Sequence, residues 1–251
     1  MKIDMDGLCR LAVEAGKAIM TVYETDFAVE YKDDDSPLTR ADSLSHSIIA
    51  GGLGELYPNI PLISEEGKTI PPEERAGWEM FWLVDPLDGT KEFVKRSGDF
   101  TVNIALVEGG RLTAGVIYAP YRDTLYFAAD GIGAWKKEQG GEPVRIQTVK
   151  AGPGAGHVVV QSRSHPSEKL ARYLETIKVK GSVPVGSSLK FCMVAEGTAD
   201  LYPRMGPTWE WDTAAGQCIV EHAGGSVLGT DGKTLGYNKP TLLNDGFMVY
   251  A

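Results

Sequence analysis

Between residues 81 and 93 the chain reads FWLVDPLDGTKEF, an apolar run that delivers Asp85 and Asp88 three positions apart, with Pro86, Leu87, Gly89 and Thr90 around them. If a strand ends at Asp85 and Pro86 turns it, both carboxylates and the Leu87 carbonyl face one way. All three are hard oxygen donors of the kind magnesium or manganese prefers. Asp, Pro and Gly are also the common turn residues, so a plain turn explains the stretch equally well. Glu65, beside Glu66, follows the apolar segment PLIS, and Asp212 stands at the N-cap position of a helix read from TAAGQCIVEHAGG. A solvated loop and a helix cap would account for these one at a time. Open α/β layers, however, collect ligand groups along one sheet edge. Four carboxylates meeting there would repel strongly unless protons or divalent cations neutralise them, and two cations about 4 Å apart suit in-line displacement at phosphorus.

Helix starts supply the complementary anion seats. Gly89-Thr90-Lys91, Ser187-Ser188 and the segment 212–215 each place first-turn amides where phosphate or sugar oxygens could lie. Lys190 and Arg204 are the cations near the second seat. Capping and surface charge are the plain alternatives for all of them.

The elements that must position these groups are legible in outline. Met5, Leu8, Leu11, Ala12, Ala15, Ile19 and Val22 recur at helical spacing between Asp4 and Glu24. A polar loop leads to a second helix, about Ala41 to Leu56, closed by Tyr57-Pro58, with Asp42 in its first turn. FTVNIALVEGGRLTAGVIYAP is apolar on both sides of Gly109-Gly110, a hairpin pattern that TLYFAADGIGAWKK extends, while a Pro/Glu-rich loop separates PLIS from FWLV. KAGPGAGH, 150–157, marks a subdomain boundary, after which HVVVQS, SEKLARYLETI, SVPVG, SSLKFCMVAEG, ADLYPR and DTAAGQCIVEHAGG alternate strand and helix. Such alternation predicts a layered α/β fold.

Composition narrows the class. The 251 residues are 43% hydrophobic, enough for a substantial core, and the formal charge of -9 argues against a nucleic-acid polymer as partner. Cys9, Cys192 and Cys218 are widely spaced and odd in number, which suggests free thiols in a reducing compartment. The acidic, helix-like N-terminal stretch does not read as a signal peptide, and no run of eighteen apolar residues occurs. Nothing commits the surface to a dimer, and a monomer is the simpler expectation.

Taken together, WLVDPLDGTKEF, LISEEG and WDTAAGQCIVEHAGG resemble the three signature segments of the inositol monophosphatase superfamily of magnesium-dependent, lithium-sensitive phosphatases, and their order spans nearly the whole chain. Within it, DPLDGTKEF followed by FTVNIAL, SRSH, GSSLKFCMVAEG and ADLYPRMGPT is similar to the bacterial 3′(2′),5′-bisphosphate nucleotidase branch. The resemblance implies an αβαβα sandwich of two intimately packed subdomains, an α+β unit at 1–150 with most metal ligands and an α/β unit at 151–251 with the nucleotide contacts and Asp212. It implies removal of the 3′-phosphate of adenosine 3′,5′-bisphosphate to give AMP, with action on the sulfated analogue, in sulfur metabolism. Two or three magnesium ions are implied, with manganese able to substitute. Glu65, Asp85 and the Leu87 carbonyl would hold one, and Asp85, Asp88 and Asp212 the second. Thr90, paired with Asp42, would orient and deprotonate the attacking water, without a covalent phosphoenzyme. The substrate would touch Glu65, Leu87, Asp88, Gly89, Thr90, His165, Ser187, Lys190, Arg204 and Asp212. A cytoplasmic enzyme is implied, with peripheral attachment to the inner membrane known in this branch. TWEWD departs from the pattern, since a smaller or more polar residue is expected at Trp209 or Glu210.

Three rivals remain at this level. A haloacid-dehalogenase-type phosphatase also ends its motif in DGT but spaces its aspartates two apart. An inositol monophosphatase would share fold and mechanism with a polyol pocket, against which Lys190 and Arg204 suit a second phosphate. A non-catalytic cation-binding protein would have no need of both Thr90 and Asp42.

Overall fold

The computed structural model describes residues 3–31, 37–163 and 167–251. Helix α1 (Met5–Tyr23) is capped by the Asp4 side chain, which accepts the Gly7 amide, and its helical-period apolar residues other than the half-buried Met5 are buried. Strands β1 (Glu30–Tyr31) and β2 (Pro37–Leu38) form a small antiparallel ribbon before α2 (Arg40–Leu56). The two helices pack together over one face of a seven-stranded sheet.

That sheet runs in chain order through β3 (Leu62–Ser64), β4 (Met80–Asp88), β5 (Thr101–Glu108), β6 (Arg111–Ala119), β7 (Thr124–Ala129), β8 (Gly133–Glu138) and β9 (Val144–Arg145). Only β3 and β4 are parallel neighbours. The β5–β6 hairpin turns at Gly109-Gly110, where φ is +58° and +76°, a conformation glycine adopts without steric cost. Along β4, Trp82 and Val84 enter the core beneath α1 and α2, while Phe81 and Leu83 enter the core on the opposite face. Covering on both faces is why the strand reads as one apolar run. The loop expected between PLIS and FWLV contains a single helical turn, α3 (Pro72–Arg75), and α4 (Thr90–Val94) follows β4 directly.

The second sheet has the order β11-β10-β12-β16-β14, built from β10 (His157–Ser162), β11 (Val179–Val185), β12 (Leu201–Arg204), β14 (Ser226–Gly229) and β16 (Phe247–Tyr250). It is mixed, parallel on the β10 side and antiparallel around β16. Between the sheets lie α6 (Leu189–Ala195) and α7 (Glu210–His222). Two glycines set how tightly α7 is held. A Cβ on Gly115 would stand 2.8 Å from the Cys218 Cβ, and one on Gly216 would stand 2.4 Å from the Phe191 ring. Helix α5 (Glu168–Glu175) reaches the outer face through a Tyr173–Tyr250 hydrogen bond. The layers therefore run helix, sheet, helix, sheet, helix.

A last ribbon, β13 (Thr208–Trp209) with β15 (Leu243–Asn244), ties the segment before α7 to the segment before β16. The intervening strap at 236–240 is pinned twice. Arg75, buried, donates to the Asn238 side chain and the Lys239 carbonyl at 2.7 Å and to the Pro240 carbonyl at 2.9 Å. Glu210, fully buried, accepts the amides of Asn238 and Lys239 at 2.6 and 3.0 Å and the Lys239 ammonium at 2.7 Å. Cys9, Cys192 and Cys218 are free thiols. Among the described residues no helix is long and apolar enough to cross a membrane.

Candidate active site

The DPLD segment is a bulged strand end and not the turn expected after Asp85. In the β4–β5 ladder Asp85 faces Asn103 and Asp88 faces Thr101, so two residues of β4 stand against one of β5. Proline suits a bulge because it has no amide to donate. The Leu87 amide folds back onto Asp85 Oδ1 at 3.0 Å and the Pro86 carbonyl accepts Ser45 Oγ at 2.6 Å, which fixes the kink from both sides. Asp85 and Leu87 are almost wholly buried, and Asp88 is half-buried.

At Gly89 the chain adopts φ +88°, and a Cβ there would lie 2.9 Å from the Asp99 carbonyl and 3.2 Å from Ser187 Cβ. Only glycine combines that backbone with that approach. Thr90 then opens α4, its hydroxyl 3.3 Å from both Asp42 Oδ1 and the Leu87 carbonyl. Asp42 is held by a capping box. Its Oδ2 accepts the amide and hydroxyl of Thr39, each at 2.7 Å, while Thr39 Oγ1 accepts the Ala41 amide at 3.1 Å. Burial pushes Asp42 up to about 6, against the lowering effect of the Thr39 hydrogen bonds.

Glu65 arrives from β3, its amide bonded to the Val84 carbonyl at 3.1 Å, and its side chain hydrogen-bonds Asp85. Asp212 comes from α7, where the structure corrects the expected N-cap position. The helix starts at Glu210 with Trp209 as its cap, and Asp212 sits at the third helical position, accepting the Trp209 amide at 2.8 Å. Ser187 and Ser188 precede α6, with φ +55° at Ser187. Their expected role as an open anion seat is altered, since Asp88 Oδ2 accepts the Ser188 amide at 2.6 Å and the Ser187 hydroxyl at 2.8 Å. Lys190 is buried, donates to the Ser187 carbonyl and lies 5.5 Å from the Tyr202 ring centre. Burial brings it down to about 8, opposed by Asp88 and assisted by Arg204. Arg204, at the end of β12, donates to the Gly206 and Pro207 carbonyls at 3.3 and 3.0 Å.

These residues share one cleft of about 250 Å³, lined by Glu65, Asp85, Leu87, Asp88, Gly89, Thr90, Ser187, Lys190, Arg204 and Asp212, with Asp42 behind Thr90. His165 lies outside the described residues. The carboxylates feel one another. Burial first, then the charges of Glu65, Asp88 and Asp212, pushes Asp85 well above the carboxylate range. Burial, then Asp88 and Glu65, does the same to Asp212. Burial also lifts Asp88, countered by Lys190 and Ser187. Among the described residues no trio of Asp, Glu, His or Cys is already closed into an ion-holding cluster. Asp85, Asp88 and Asp212 each accept one backbone amide through a carboxylate oxygen. The donor set is nonetheless all oxygen, strongly anionic and desolvated, and it fits hard divalent cations.

One positioning residue had no sequence signal. Asp99, in SGDF, looks like any turn aspartate, yet it is buried and bonded to Arg122, Arg163 and the Gly186 amide. Its backbone partner, the Gly186 amide, is 87 residues away.

The layering and the cleft define a phosphatase-type fold, and the chain belongs to the inositol monophosphatase family, which it matches over residues 4–250. The 3′(2′),5′-bisphosphate nucleotidase CysQ of Salmonella typhimurium (strain LT2) is 50% identical over 250 residues, covering 98% of either chain. The protein of the same name from Escherichia coli (strain K12) is 48% identical over the same length, again with 98% of either chain covered. A crystal structure of CysQ from Bacteroides thetaiotaomicron superposes with a TM-score of 0.84 at 40% identity, covering 98% of this chain and 97% of that one.

Proposed function

We propose that this chain is a 3′(2′),5′-bisphosphate nucleotidase, a phosphoric monoester hydrolase that converts adenosine 3′,5′-bisphosphate to AMP and phosphate and also accepts the 5′-phosphosulfate analogue. The observation that carries this reading is a single cleft lined both by the carboxylates Glu65, Asp85, Asp88 and Asp212 and by the cations Lys190 and Arg204. The full-length relatives named as this nucleotidase support it. Free thiols agree with a cytoplasmic setting.

Magnesium, or manganese in its place, suits the oxygen donors. Glu65, Asp85 and the Leu87 carbonyl would hold one ion, and Asp85, Asp88 and Asp212 another. Bound there, such ions supply Lewis-acid stabilisation of phosphate oxygens and a more acidic water. The chain's own residues do the rest. Thr90 Oγ1, when it donates to Asp42, leaves its lone pairs toward the cleft, where they accept a hydrogen from the attacking water and align it. Asp42 takes the proton relayed through Thr90, and its raised affinity for protons suits that task near neutrality. Lys190 and Arg204 offset the charge of the second phosphate, with Ser187 and Gly89 shaping the seat between the two ends.

The test is turnover of adenosine 3′,5′-bisphosphate against inositol 1-phosphate, with magnesium and after chelation. A higher kcat/KM for the nucleotide, abolished by chelation, is expected. A preference for the inositol phosphate would replace the reading with that of an inositol monophosphatase.

A further inference from the structure

None of the roles above uses the Trp209 side chain, although the departure of TWEWD from the family pattern falls at Trp209 or Glu210. The indole of Trp209 stacks on that of Trp211, ring centres 5.1 Å apart and planes 14° from parallel. It is also 41% exposed and borders the cleft beside Arg204 and Thr208. Other large apolar side chains are more exposed, but among the described residues Trp209 alone of them lines the cleft, where its flat ring can take a planar ligand group out of water.

Its mounting is unusually firm for an exposed side chain. The Trp209 backbone pairs with Leu243 in the β13–β15 ribbon, its carbonyl accepts Asn244 Nδ2 at 3.3 Å, and its amide is bound to Asp212 at 2.8 Å. The next residue, Glu210, is the buried anchor of the 236–240 strap. The ring is therefore fixed on both the backbone and the Trp211 side before any ligand arrives, and a ligand stacking on it would order little that is not already ordered.

We propose that Trp209 is a specificity residue whose indole is the stacking platform for the purine base of the substrate, an inference that rests on the nucleotide reading above. A base has a π face and a polyol has none, so the platform favours nucleotides over inositol phosphates that present the same reacting phosphate. Base stacking on an aromatic side chain corresponds to roughly a five- to hundredfold effect on binding.

The experiment compares wild type, Trp209→Ala and Trp209→Phe on adenosine 3′,5′-bisphosphate and on ribose 3,5-bisphosphate, which keeps both phosphates and lacks the base. The expected result is a KM for the nucleotide raised at least fivefold in Trp209→Ala with kcat little changed. Trp209→Phe should restore most of it, and ribose 3,5-bisphosphate should be handled alike by all three. A nucleotide KM within twofold of wild type in Trp209→Ala overturns the platform, as does an equal loss on both substrates, which would mark a structural role. In either case wild-type turnover of the nucleotide leaves the substrate reading standing. If wild type hydrolyses inositol 1-phosphate and not the nucleotide, the substrate reading falls and the platform with it.

Discussion

The Asp99 carboxylate accepts the Gly186 amide at 3.0 Å, across the join between the seven-stranded sheet and the end of β11. Asp99 leads into β5 and Gly186 leads into Ser187, so this bond sets the distance between the bulged strand that carries Asp85 and Asp88 and the serines that grip Asp88. Close packing enforces it, since a Cβ on Gly186 would stand 2.8 Å from the Asp99 Cβ.

Asp99→Ala should therefore cost stability and activity together. Arg122 and Arg163 are half-exposed and would find water, whereas the Gly186 amide would lose its partner, so about 2 kcal/mol is expected. For a chain of this size that is a Tm lower by roughly 5 °C. Thermal denaturation and kcat measured together check it, and an unchanged Tm would contradict the linchpin role.

If Asp42 is the base, it should set the acid limb of the pH profile. Its folded value of about 6 lies above the ordinary aspartate value, so the folded chain keeps a proton that the unfolded chain releases. Stability from this group is present at low pH and is lost as pH rises toward about 6. Activity should run the opposite way, rising with pH through about 6 as the base ionises. Asp42→Asn should remove that limb, lower kcat by about a hundredfold or more, and leave the protein no less stable at pH 7. A profile that stays flat between pH 5 and 7 in the wild type would argue against Asp42 as the base.

Asp85→Asn separates stability from function. It removes a carboxylate pushed up by burial and by three neighbouring charges, so the metal-free variant should melt no lower than wild type. Turnover should vanish. Magnesium should raise the Tm of wild type, by the equivalent of about 2.7 kcal/mol at a hundredfold excess over Kd, and should raise the variant's much less. Equal magnesium-dependent shifts in differential scanning fluorimetry would remove Asp85 from the ligand set.

Glu210→Ala leaves two backbone amides and Lys239 without their shared acceptor. A loss of about 3 kcal/mol is expected. Amide exchange should speed up at Asn238 and Lys239 before it does in β5, and uniform exchange would argue that the strap is held elsewhere.

The sequence displayed the parts of the site that follow apolar strands. Glu65, Asp85 and Asp88 stand where β3 and β4 run out, and strand ends are visible as the point where an apolar run breaks. Helix α1 was legible because its period was unbroken. What stayed hidden depended on partners far along the chain. The Ser188 amide looked open because its acceptor, Asp88, is 100 residues distant. Asp212 looked like a cap because the two residues before it, Glu210 and Trp211, do not resemble a helix start. Their helical conformation follows from the β13–β15 ribbon and from Glu210's burial under the strap. The departure at Trp209 or Glu210 showed in the sequence, but the stack of Trp209 on Trp211 and its place at the cleft did not.

Strand β16, residues 247–250, lies between β12 and β14 and pairs with both. Strand β14 has no other neighbour in that sheet, so its place depends wholly on β16. Arg204 stands opposite Phe247 in the β12–β16 ladder, and a cation at the cleft is thereby held by a segment 43 residues further along the chain. Contacts of that sequence separation are formed only after a long loop has been closed, so this edge of the cleft depends on the completed sheet and not on local structure.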